Sequence, residues 1–431
     1  MVSIAEMVSR QVRIEETARR ERMRRAWNAY QGEAAGPLKV KPGDADDNVR
    51  VNYARLIVDK GVSFLFGGGV EMRTCAEAGS DAQAWLDGFW EANGKAALLH
   101  RLAVNGAVCG HAFVKIVGAG SRGANGTAPW PRIVVIDPTT VSVAWTPDDW
   151  ETVVRYDLAW HGMDPDTERP AAFRQVIARS RSGKPAWFIT DQRSDGDDPR
   201  WRTTHTERWP YGWPPIFACQ NLPAPNEYWG MSDLEPDVLG VCRAMSFVLS
   251  NAARIIRYHA HPKLWGAGFQ YSDITFGPDD LTVLPDRDAA LHLLEMQSDL
   301  SSSLELYGRV KEALHEIARV PELSAGALKA LGRVSGVALR LLYQPLMEKT
   351  QTKRTLYGGM LAELSRRVLE MGGFGSEVGV ELEWPPVTPT DPLEEARTAL
   401  AYRQLGLSGA ASLRRLGVTE REEEACRDDS I

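Results

Sequence analysis

The stretch Val320-Pro-Glu-Leu-Ser-Ala-Gly-Ala-Leu-Lys-Ala-Leu-Gly-Arg333, followed by Ser335-Gly-Val-Ala-Leu339, decides the reading of this chain. Its first part is irregular and rich in small residues. From 335 a helical pattern opens and runs to Met371. Tyr357, Met360, Leu361, Leu364, Val368 and Met371 fall at helical spacing, while Lys353, Arg354, Glu363, Arg366 and Arg367 lie mostly off that face. At about 1.5 Å per residue such a helix is roughly 55 Å long, so Pro345 is expected to kink it. A glycine-hinged loop at the head of a long helix is able to move, and its partner becomes the functional question.

Working outward, 431 residues exceed one typical core, so two to four substructures are expected. Hydrophobic residues make up 44% and charged residues 25%, the balance of a soluble globular protein. A net charge of -7 argues against a protein that coats nucleic acid. It is compatible with one that lets a duplex slide past, because a basic lining would hold the phosphates. Cys75, Cys109, Cys219, Cys242 and Cys426 are dispersed without a CxxC pair, which predicts a reducing compartment and no disulfide framework. No apolar run reaches the ~18 residues of a membrane span, and charges stand where a signal peptide needs an apolar core.

The N-terminal segment 4–30 reads as a charged helix with Ile4, Met7, Val8, Val12, Met23 and Trp27 as a sparse apolar side. Its seven arginines suit a polyanion contact, but a solvated helix on a subunit surface is the simpler reading. A second helix is expected over 48–66, with Ala54, Ile57, Val58, Gly61, Val62 and Leu65 facing inward and Gly67-Gly-Gly69 ending it. Helices over 81–92 and 95–109 and a strand over 111–117 follow.

From 132 to 220 the pattern turns to strands separated by Asp, Gly and Pro clusters, which predicts an antiparallel meander or small barrel. Nine of the fourteen tryptophans lie between 130 and 229, and buried strand aromatics explain them more simply than a carbohydrate site. Ser232-Asp-Leu-Glu235 fits a capping box with Pro236 in the first turn, opening a helix to about His261. Short strands are expected at 263–269 and 281–284, then a helix from about 298 to 320. A strand over 378–384 and short helices at 393–405, 410–416 and 419–426 end the chain.

Catalytic motifs do not hold up. Gly118-Ala-Gly-Ser-Arg-Gly123 spells GxGxxG, but Ala124-Asn-Gly-Thr-Ala-Pro-Trp-Pro131 cannot supply the helix whose N-terminus would face pyrophosphate, so a loop is expected. No P-loop, HExxH or GxSxG appears. His259 and His261 point to different sides of a helix, and Asp279 and Asp280 lie in a turn. No cofactor and no metal are therefore expected. A carbohydrate-active enzyme, the enzymatic alternative, would need two convergent carboxylates, and no such pair stands out.

Several segments together resemble a family, the portal proteins of tailed bacteriophages. They are Asn52-Tyr-Ala-Arg-Leu-Ile-Val-Asp59 with Phe66-Gly67, Gly106-Ala-Val-Cys-Gly-His-Ala-Phe113, Gly230-Met-Ser-Asp-Leu-Glu235, and Val320-Pro-Glu322 followed by Ser335-Gly-Val-Ala-Leu339. The resemblance implies an α+β ring subunit with no enzymatic activity. Its parts would be a wing (1–230), stem helices (231–261 and 298–320), a small β clip (262–297), a tunnel loop (321–334), a long kinked helix returning to the wing (335–390) and a short helical crown (391–431). It implies a homo-oligomeric ring, usually of twelve, at one capsid vertex of a virion assembled in the host cytoplasm. Double-stranded DNA would pass through it during packaging and ejection.

The implied partners are the terminase large subunit, a head–tail adaptor, and the major capsid and scaffolding proteins, with no membrane. On this mapping Leu328, Lys329, Leu331 and Arg333 are the tunnel-loop residues. Arg319 and Arg340 are further basic candidates, and Trp265, Phe269 and Tyr271 are clip residues that would dock a partner. A head–tail adaptor is the alternative within the same class, although adaptors are generally much shorter.

Overall fold

Asn52 starts the second helix: its side chain accepts a hydrogen bond from the Arg55 N–H and caps α2 (Tyr53–Phe66). The helix begins later than the expected 48 because Asn52 is the residue that satisfies its orphan N–H groups. All six inward positions read from the sequence are buried, with Phe66 added. The structure is a computed structural model that describes residues 4–43, 46–75, 79–118, 130–165, 167–180, 186–195, 200–260, 263–267, 290–294, 300–322, 336–387 and 392–406.

Two compact units divide the chain. The first comprises Met1–Gly67 and Met72–Leu382, the second Gly68–Glu71 and Glu383–Ile431. In the first, α1 (Ile4–Gln31) packs on α2 and on α4 (Lys95–Cys109), which α3 (Gly79–Ala92) precedes. The α1 helix is more deeply engaged than a solvated helix: Met23 and Ala26 are buried, and so is Arg19. Gly110, in the left-handed conformation at φ 83°, ends α4 and turns the chain into β2 (His111–Val117). That strand is central in an antiparallel sheet of order β3-β2-β9, with β3 at Arg132–Ile136 and β9 at Ile216–Gln220.

The expected meander is an open five-stranded antiparallel sheet, β4 (Val141–Thr146) to β8 (Arg202–Trp209) in sequence order. Its members between are β5 (Asp149–Met163), β6 (Pro170–Arg179) and β7 (Trp187–Asp195). Trp187 and Trp209 are buried and Trp150 is half-buried, but Trp145, Trp160 and, just before β8, Trp201 are exposed, so burial accounts for only part of the set.

Then come α5 (Pro236–Ala260), an antiparallel ribbon of β10 (Lys263–Ala267) with β11 (Ala290–Leu294), and α6 (Ser301–Ala318). The partner of β10 is thus 290–294, not the strand expected at 281–284. Helix α7 (Gly336–Met371) continues through Pro345 as one helix. A ribbon of β1 (Glu71–Thr74) with β12 (Val380–Glu383) follows. In the second unit, α8 (Pro392–Gln404) exposes Leu400. Residues 119–129, Asp279, Asp280, His261, the strand expected at 281–284 and the helices expected at 410–416 and 419–426 lie outside the described residues.

One sequence inference needs correction. Within α5, Pro236–Arg257 is long and apolar enough, by length and composition alone, to cross a membrane. The run was missed because Arg243 and Arg254 interrupt it.

Candidate functional site

Two of the quoted motifs meet in the interior. The bend Gly230-Met-Ser-Asp-Leu-Glu235 closes by the reciprocal bonds of a capping box. The Ser232 N–H donates to Glu235 Oε1 at 2.8 Å, and the Leu234 N–H donates to Ser232 Oγ at 2.9 Å. The box lies just ahead of α5 rather than in its first turn, and Pro236 is the first helical residue.

This bend satisfies the end of α4. The Ser232 hydroxyl lies 2.9 Å from the Ala107 carbonyl and 2.8 Å from that of Val108, and the Asp233 N–H donates to Ala107 at 2.8 Å. The backbones approach so closely that side chains are excluded. A Cβ on Gly110 would stand 2.4 Å from the Gly230 carbonyl oxygen, and one on Gly230 would stand 2.6 Å from the Gly110 oxygen.

Below the bend, Asp233 points into the protein and is fully buried at its side chain. Lys353 Nζ lies 2.6 Å from its Oδ2 and Lys349 Nζ lies 3.2 Å from its Oδ1. Asn221 Nδ2 donates to Oδ1 at 3.2 Å. The lysines are four apart on α7, so both face one carboxylate. Lys349 also donates to the Ala318 carbonyl at 3.1 Å, at the C-terminus of α6. One buried cluster therefore joins the root of α5, the end of α6 and the middle of α7.

Burial would raise the Asp233 carboxyl, but the ammoniums of Lys353 and Lys349 outweigh it and hold the group below the usual carboxylate range. Burial lowers the Lys353 ammonium to about 8, with Asp233 opposing and Lys349 assisting that shift. Both lysines and Arg354 are buried, contrary to the expectation that Lys353 and Arg354 stand off the apolar face. For Lys353 the reason is Asp233, which makes its burial tolerable.

One turn on, Tyr357 is fully buried against Phe66, and its hydroxyl donates to Asn221 Oδ1 at 3.4 Å. That hydroxyl occupies the space beside Gly106, where a Cβ would be 1.8 Å away.

Nearby, His111 stacks on Tyr228 with ring centroids 4.8 Å apart, and Arg19 lies 3.6 Å over the Trp229 ring. Burial first, then the charge of Arg19, push the His111 imidazole down to about 3, so it is neutral. The arrangement is one of fixation. The ends of α4 and α6, the root of α5 and the middle of α7 are locked together beside the end of β9.

Of the residues singled out by sequence, Arg319 caps α6 in the left-handed conformation at φ 55° and is exposed. Arg340 is exposed on the first turns of α7. In sequence these two stand on either side of residues 321–334. Leu328, Lys329, Leu331 and Arg333 lie outside the described residues, as do Phe269 and Tyr271. Trp265 is placed on β10 opposite His292, and its side chain is outside the described set. Sequence reading missed Asp233, Lys349 and Lys353. The available signal was phase: Lys349, Lys353 and Tyr357 share one face with Leu361 and Leu364.

Residues 11–170 and 206–427 match the family described as phage portal protein, SPP1 Gp6-like. The chain belongs to that family. As a phage portal protein it is a virion component of the portal vertex, with a structural rather than an enzymatic role, and the carbohydrate-enzyme alternative loses its basis.

No curated protein matches the chain in sequence. Among solved structures it is similar to a chain of the virion of a native gene transfer agent particle, at 14% identity and a TM-score of 0.48, covering 91% of this chain and 99% of that one. It is also similar to a chain from the neck of an empty gene transfer agent particle computed with C6 symmetry, at 12% identity and a TM-score of 0.49, covering 85% and 89%.

Proposed function

We propose that this portal protein assembles as a closed ring, expected to be a dodecamer, and that double-stranded DNA enters and leaves the capsid through its centre. The observation that carries the reading is the nakedness of the helical hairpin. Only 17% of the membrane-like window in α5 is buried within the chain. Phe247 and Ile256 on α5, Leu304, Leu306 and Ile317 on α6, and Leu341 and Leu342 on α7 are exposed. Apolar helix faces of this extent need cover, and neighbouring copies in closed symmetry supply it without a lipid phase.

The parts then take roles. Residues 1–230 form the wing, 231–261 and 298–320 the stem, and 262–297 the clip. Residues 321–334 form the tunnel loop, 335–390 the long helix and its return to the wing, and 391–431 the crown. The clip docks the terminase large subunit and later the head–tail adaptor, while the wing meets capsid and scaffolding proteins. Lys329 and Arg333 touch phosphates in passing, Leu328 and Leu331 pack between adjacent loops, and Arg319 and Arg340 add positive charge at the loop's two ends. A chain of net charge -7 suits a lining along which few counterions are displaced per phosphate.

Deleting 321–334 tests the loop. Reduced packaging or loss of packaged DNA is expected, and unchanged packaging and retention would contradict the role.

A further inference from the structure

Helices α5 and α6 are antiparallel and share a root. Lys349 Nζ touches both Asp233, just before α5, and the carbonyl of Ala318, the last residue of α6. At the far end, Lys263 of β10 faces Leu294 of β11. Counted from the common root at about 1.5 Å per residue, Ala244 stands level with Val310 and Phe247 level with Tyr307.

Each helix buries one side and leaves an apolar strip on another. On α5 the strip is Gly240, Ala244 and Phe247, all exposed, and a Cβ on Gly240 would meet nothing within 4 Å. On α6 it is Leu306, Ala313 and Ile317, exposed, with Val310 half-buried among them. Both strips follow the three-four spacing of a packing face.

The strips are complementary. At matched heights, Ala244 meets Val310, Phe247 meets Leu306, and the open space at Gly240 lies between Ile317 and Ala313. Their flanks carry opposite charge. Arg243 is exposed beside the α5 strip, while Glu305, Glu312 and Glu316 are exposed beside the α6 strip; of the two cations among them, Arg309 lies 3.3 Å from Glu312 and half-buried Lys311 pairs with Glu322, which leaves the flank net acidic. Arg243 stands at the height of Glu312. Rotation about a ring axis parallel to the stem preserves height, so one subunit's strip meets the other strip of its neighbour at these levels.

We infer that the Gly240–Ala244–Phe247 strip of one copy packs on the Leu306–Val310–Ala313–Ile317 strip of the next, with Arg243 set against Glu312. The contact is heterologous, head to tail. It rests on the ring reading and names the surface that closes the ring.

Two measurements on the full chain test it. The first is oxidative cross-linking of a Phe247→Cys, Leu306→Cys double variant, with each single variant as control. A ladder of covalent multimers up to the full ring is expected from the double variant alone. The second is charge exchange. Arg243→Glu or Glu312→Arg should each lower ring yield about tenfold or more, because like charges then face each other, and the two together should restore it.

Wild-type rings with neither a double-specific ladder nor rescue would overturn the pairing and leave the ring intact. Cross-linked dimers from either single variant would show an isologous contact and overturn it as well. A wild-type chain that forms no rings, with or without scaffolding protein, would overturn the ring reading and this inference with it.

Discussion

Lys353 Nζ sits 2.6 Å from Asp233 Oδ2, an ion pair between residues 120 positions apart that is closed to solvent on both sides. Two ammoniums share this one carboxylate, so the aspartate is the partner whose loss costs most. Asp233→Asn leaves two cations without a counter-charge and should destabilise the chain by roughly 3–5 kcal/mol. Replacing the trio together, Asp233→Leu with Lys349→Met and Lys353→Met, should recover most of that loss. Urea unfolding of the three chains checks both statements, and an Asp233→Asn midpoint equal to wild type would contradict them.

The same pair sets a pH dependence. Lys353 is lowered to about 8 from the ordinary 10.5, so between these values the unfolded chain holds a proton that the folded chain has released. Its contribution to stability therefore rises as pH climbs through that window. Asp233 acts at the other end: its lowered value gives stability that is present above the ordinary carboxylate range and lost on acidification through the folded value. Stability measured from pH 7 to 10.5 should climb more steeply in wild type than in Lys353→Met. Parallel curves would count against the assignment.

Gly106 and Tyr357 form a steric pair. With a Cβ only 1.8 Å from the Tyr357 hydroxyl oxygen, Gly106→Ala should cost about 1–3 kcal/mol by overpacking. Adding Tyr357→Phe removes the clashing atom and should return part of the loss despite the hydrogen bond to Asn221. A double-mutant cycle with no coupling would show that the helices separate freely here.

Periodicity carried much of the fold. Ala54, Ile57, Val58, Gly61, Val62 and Leu65 were readable as an inward face because each is apolar or small at helical spacing, and β2 was readable from end to end. The buried lysines were not. A periodicity argument assigns Lys353 to solvent, and the residue that reverses this is distant in sequence and close only after folding.

The strand Ala290-Leu-His-Leu-Leu294 was missed for a related reason. Its alternation is short, and its pairing with β10 is the only feature that marks it as a strand. The motifs around Gly106 and Gly230 were legible as pieces. Their meeting at the end of α4 depends on backbone approach that glycine permits and composition does not reveal.

Imaging the purified full-length chain by electron cryo-microscopy, alone and with scaffolding protein, tests the central claim most directly. Closed rings with a central channel wide enough for duplex DNA, walled by α5 and α6, are predicted. Particles that remain single chains under both conditions, with those helices still exposed, would contradict it.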